Sequence, residues 1–70
     1  MERENVTSSM IASVGYDPDS STLEIEFKSD GSVWQYYDFL ESNYHDFRNG
    51  SLGKYFHANI KGKYTESRVG

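Results

Sequence analysis

Apolar and polar residues alternate through two stretches of the first half of the chain, and the alternation predicts strands. From Ser9 to Tyr16, the apolar residues Met10, Ala12, Val14 and Tyr16 fall at every second position, as a half-buried strand requires. Asp17-Pro18-Asp19-Ser20-Ser21 then reads as a turn, because proline fixes φ and Asp and Ser side chains bond the local backbone. In the second strand Leu23, Ile25 and Phe27 point one way, and Glu24, Glu26 and Lys28 the other. Asp30-Gly31 suits a two-residue hairpin loop, since both residues tolerate positive φ. That loop sets Phe27 opposite Trp34 and Ile25 opposite Tyr36 on the core face, with Gln35 and Tyr37 outside. A three-residue loop would reverse the faces.

The period changes after the third strand. Asp38 followed by Glu41 resembles a capping box with Asp as N-cap, and Leu40, Tyr44 and Phe47 form a stripe at helical spacing. Asn49-Gly50 is expected to close this helix, with Gly50 as a left-handed cap. Ser51 can cap a second helix carrying Leu52, Phe56 and Ile60 on one face, and Gly62 ends it. The expected fold is therefore α+β, a three-stranded antiparallel β-meander followed by two short α-helices packed on one sheet face. Residues 1–70 form one domain, in which 1–7 and 65–70 are expected to be flexible ends, with Tyr64 the one ring able to anchor the tail. Phe27, Trp34, Tyr36, Phe47 and Phe56 are the expected core aromatics.

Composition narrows the chemistry. A chain of 70 residues has little surface to bury and no cysteine for a disulfide or thiolate metal site, so oligomerisation is the expected supplement to packing. No metal site and no cofactor are expected from two histidines without a ligand cluster. No stretch approaches a membrane span and the start lacks an apolar leader core, which points to the cytoplasm, or to a host's cytoplasm for a viral protein. The net charge of −4 is unevenly spread. Residues 1–47 hold ten acids against Arg3 and Lys28, whereas residues 48–70 hold five cations against Glu66. Such asymmetry suggests an anionic partner for the basic part.

The sharpest local candidate is Ser51 with Gly53 and Lys54. A helix start offers free N–H groups to an anion, glycine allows close approach, and the lysine ammonium stands one residue on. The plainer alternative is that Ser51 only caps the helix and Gly53 fits against a neighbouring strand. His57, Lys61 and Arg68 are further candidate anion contacts. Eleven aromatic residues exceed what a small core needs, and Tyr16, Tyr37, Tyr55 and Tyr64 are the rings expected to be exposed for base stacking or for an interface. His45 and Asp46 are helix neighbours about 100° apart and form no catalytic pair. With no nucleophile motif and no phosphate-binding glycine loop, no catalytic residue is assigned and an enzyme is not expected.

The order of these motifs resembles the KTSC domain family, found at the C-terminus of some lysyl-tRNA synthetases and as stand-alone proteins. The resemblance rests on Ser8-Ser9, Gly15-Tyr16, Leu23 to Phe27 followed by Gly31, and Trp34-Gln35-Tyr36 in place of the family's Tyr-x-Tyr. Ser51-Leu52-Gly53-Lys54-Tyr55-Phe56 looks like the family's Ser-x-Gly-x-aromatic-Phe, with Ile60 and Tyr64 following. Trp34 and Leu40 depart from the family pattern, the second where a proline is frequent. The resemblance implies the fold and carries a suggested RNA-binding role.

Three functions are compatible with these features. The first is an oligomeric, non-catalytic binder or sponge that sequesters a small nucleotide such as a cyclic dinucleotide, as a phage-encoded protein countering host defence would. Such a ligand needs only a few cations and flat surfaces, and no basic protein. The second is binding of single-stranded RNA, which a sequence pI of 4.9 disfavours. The third is a protein-interaction module using its spare aromatics.

Overall fold

The computed structural model describes residues 1–70. It is α+β, with a five-stranded antiparallel sheet in the order β1 (Glu4–Asn5), β2 (Ile11–Asp17), β3 (Thr22–Phe27), β4 (Val33–Tyr36) and β5 (Glu66–Arg68). Two helical segments lie between β4 and β5: α1 (Glu41–Arg48), and α2 (Leu52–Tyr55), which runs on into a π-helical turn at Phe56–Ile60. No helix is long and apolar enough to cross a membrane. Both strands beyond the expected three come from the ends of the chain, read above as flexible. Their side chains are mostly exposed, so they lack the apolar alternation that reveals a strand.

One continuous core joins sheet and helices. Ile11, Val14, Leu23, Ile25 and Tyr36 face Phe39, Phe47, Leu52, Phe56 and Ile60, and each side chain of this size contributes about 1.5–3 kcal/mol by leaving water. The Phe56 ring sits edge-on to Phe27 and Tyr36, with centroids at 5.2 and 5.9 Å. Trp34 and Phe27 are half-buried against the same cluster, on the face expected of them.

The β3–β4 register differs from expectation by two residues, Ile25 pairing with Trp34 and Leu23 with Tyr36. The loop is longer than Asp30-Gly31: the Phe27 N–H donates to the Ser32 carbonyl, and Asp30 Oδ1 accepts the Ser32 N–H at 2.9 Å. Gly31 takes a φ of 71° and closes the turn onto the Phe27 carbonyl. An even slip preserves parity, so every side chain keeps its expected face. In β2 the expected alternation fails at its start. The register shifts between Ile11 and Ser13, and this β-bulge lets both Ile11 and Val14 face the core. Met10 lies before the strand and packs at the core's margin.

The start of α1 also differs. Asp38 does not cap the helix but adopts a φ of 57°, and the N-cap is Leu40, with no side-chain bond and 60% exposure. Burial of Phe39 outweighs capping here. The left-handed turn at Asp38 sends Phe39 into the core, where its N–H bonds the Ser21 carbonyl and its own carbonyl accepts the Tyr16 hydroxyl. At the other end, Gly50 is not left-handed; Asn49 donates to the Asp46 and His45 carbonyls, and Ser51 starts the next helix at once. Gly62, at φ 73°, follows the π turn as expected.

The sheet face away from the helices carries a polar network. Glu24, only 5% exposed, accepts from Gln35 at 2.8 Å and from Arg3, while Arg3 also donates to Ser13, which donates to Glu26. Burial alone would raise the Glu24 pKa, but the Gln35 and Arg3 hydrogen bonds and the Arg3 charge outweigh it and hold the carboxyl below its ordinary value. The N-terminal residues cross this face at Gly15, where a β-carbon would lie 2.5 Å from the Glu2 carbonyl oxygen. Gly15→Val is therefore expected to displace residues 1–5. Hydrogen exchange should show the Val6 amide, bonded to the Ala12 carbonyl, losing protection while the Ile25 amide keeps it.

Candidate functional site

Ser51 begins α2 immediately after α1 ends, and its Oγ accepts the Lys54 N–H at 3.5 Å. The first helical turn faces the segment that leads into β2. Between them runs a groove of about 750 Å³, with Thr7 to Met10 on one side and Gly50 to Lys54, His57 and Ala58 on the other. Such a volume falls in the range of small-ligand sites. Sequence reasoning named four of its residues, Ser51, Gly53, Lys54 and His57. The groove brings these four together.

Gly53 has no packing duty, because a β-carbon built on it meets nothing within 4 Å. The alternative that Gly53 fits against a strand therefore fails. Its bare backbone opens on the groove beside the exposed Lys54, whose ammonium makes no ion pair. His57 is exposed, with its ring edge-on to Phe56 at 5.6 Å. Across the groove Ser8 is occupied, since its Oγ accepts the N–H groups of Met10 and Ile11 and so shapes that wall. Met10, Leu52 and Ala58 supply an apolar strip. Although the chain holds eleven acidic residues, none lines the groove.

Two predicted anion contacts lie elsewhere. Lys61 caps the π turn outside the groove, and Arg68 sits on β5, where its Nε donates to the Gly70 carbonyl at 2.9 Å. The four tyrosines expected to be exposed are all half-buried and engaged. Tyr16 stacks on Tyr44 at 4.9 Å and 17°, Tyr55 packs on Phe47, and Tyr64 packs on Phe39 at 4.9 Å. Tyr37 donates from its hydroxyl to Gln35 Oε1. Burial pushes the Tyr55 phenol pKa up. Tyr16, Tyr55 and Tyr64 thus extend the core, whereas Tyr37 stays on the outer sheet face. Conversely, Thr7, Ser9, Met10 and Ala58 line the groove and were missed, since nothing in the sequence links positions 7–10 with positions 50–58.

This combination of meander, helical cover and Ser-x-Gly helix start agrees with the comparisons. The KTSC domain model matches residues 7–64, and the chain belongs to the KTSC domain family. A crystal structure of a KTSC domain protein from Yersinia pestis is similar over 99% of this chain and 97% of its own, at 40% identity and a TM-score of 0.93. No curated protein sequence matches the chain.

Proposed function

We propose that this KTSC domain is a non-catalytic binder of a small phosphate-bearing ligand of the nucleotide class, such as a cyclic dinucleotide, held in the groove between Thr7–Met10 and α2. The observation that carries the reading is the groove's charge. In a chain of net charge −4 it excludes every carboxylate and presents an unpaired ammonium, an imidazole and hydroxyls. A phosphate would lie against Gly53, Lys54 and His57. The base would lie on Met10, Leu52 and Ala58, because the tyrosine rings are engaged elsewhere. One groove with one lysine suits a compact anion better than a polyanion, whose affinity grows with the number of cations along its track.

Titration calorimetry with cyclic dinucleotides, mononucleotides, pyrophosphate and a short single-stranded RNA tests the reading. At least one small nucleotide is expected to bind with fixed stoichiometry. Lys54→Ala should weaken it about 10- to 100-fold, the loss of one charge-assisted contact, while the Tm moves by no more than about 2–4 °C. Binding of RNA alone, or indifference to Lys54, would overturn it.

A further inference from the structure

The edge strand β5 is short and carries two charged residues of opposite sign. β5 ends the sheet, and its outer side is covered by no other strand. The hydrogen bonds that flank it, Tyr37 N–H to the Thr65 carbonyl and Val69 N–H to the Val33 carbonyl, show that odd-numbered residues of this segment bond inward to β4. In an antiparallel ladder the alternate residues then turn their N–H and C=O groups outward, which leaves those of Glu66 and Arg68 facing solvent.

Two such edges meeting about a two-fold axis must match even residue to even residue. Three registers do so. Centring the axis on residue 66 sets Glu66 against Glu66, and centring it on residue 68 sets Arg68 against Arg68, so like charges stand directly opposite and disfavour both. Centring it on Ser67 sets Glu66 opposite Arg68 twice. Each of these pairs exchanges two backbone hydrogen bonds. The same register lays Val69, one of few exposed large apolar side chains at 51%, opposite the β-branched Thr65.

We propose that the chain forms a two-fold dimer in which β5 pairs with β5 about Ser67, joining two sheets into one of ten strands. A short charged strand usually discourages edge pairing. Here the order Glu-Ser-Arg makes the charges self-complementary in one register only, which fixes the partner as a second copy. The contact is one strand wide, so a concentration-dependent dimer with a Kd in roughly the micromolar range or weaker is expected. This inference is independent of the groove.

Native mass spectrometry and sedimentation of the wild type, Glu66→Arg and Arg68→Glu test it. The wild type is expected to dimerise, and each variant to dimerise at least about 10-fold more weakly, since like charges then oppose each other. Mixing the two variants in equal amounts should restore the dimer as a heterodimer, because one chain then carries two arginines and the other two glutamates. That recovery excludes misfolding as the cause of the loss. If either variant fails to fold, Ser67→Cys decides the matter. The chain has no other cysteine, and the proposed register brings the two thiols to disulfide distance. A wild type that stays monomeric to about 1 mM, charge variants that dimerise like the wild type, or a Ser67→Cys protein that does not cross-link would overturn the proposal.

Discussion

Phe39→Ala is expected to remove about 3–5 kcal/mol of stability, measured by urea or thermal unfolding. A domain of this size has only several kcal/mol to lose, so the variant should be largely unfolded near its working temperature. The reason lies in how many elements meet at this ring. Phe39 is fully buried, with Tyr16 edge-on at 6.4 Å and Tyr64 at 4.9 Å, and so joins β2, the approach to α1 and the segment before β5. Truncation leaves a cavity between parts of the chain that cannot all close in. Its backbone is also tied to Ser21 and Tyr16, which resists local collapse. Leu40→Ala, one residue on, should change stability by less than about 0.5 kcal/mol, because that side chain is exposed. Equal effects of the two substitutions would contradict the placement of the chain at Asp38.

The second large effect is expected at the opposite sheet face. Arg3→Ala should cost about 1–3 kcal/mol at neutral pH, because it withdraws a charged partner from the nearly buried Glu24 carboxylate. The pH dependence identifies the cause. Since the folded pKa of Glu24 lies below the ordinary value of 4.5, its stabilisation is complete above that value and is lost as the pH falls through the lower, folded one. Wild type and variant should therefore differ most at neutral pH and converge in acid, where Glu24 is protonated in both. A constant difference across the range would assign the effect to packing of the arginine stem instead.

The two middle strand pairings and both helices were legible in the sequence because each carries a period. Leu23, Ile25 and Phe27 alternate, and Leu52, Phe56 and Ile60 share a face. The edges were not legible. β1 and β5 are held by backbone hydrogen bonds and by Arg3 and Tyr64 rather than by apolar stripes. The bulge at Ala12 and the turn at Asp38 were hidden for a related reason. In both places tertiary burial, of Ile11 and Phe39, overrides the local pattern that the sequence displays. Four of the groove's eleven lining residues were readable, because Ser51, Gly53, Lys54 and His57 are close in sequence along one helical segment. The facing wall depends on contact between residues some forty positions apart, which no local pattern records.

The π-helical turn gives the segment after Ser51 a periodicity of its own. In an α-helix, residues four apart drift by about 40° around the axis, so Leu52, Phe56 and Ile60 would fan progressively away from a common direction. The wider turn, closed by the Lys61 N–H on the Phe56 carbonyl at 2.8 Å, takes one residue more into its hydrogen-bonded loop and offsets that drift. The spacing of four therefore holds from Leu52 through Ile60, where the helical segment ends. The chain thus reads in steps of four where a helix would count three and four alternately, and a single-residue insertion or deletion there would shift the whole apolar row out of phase with the core.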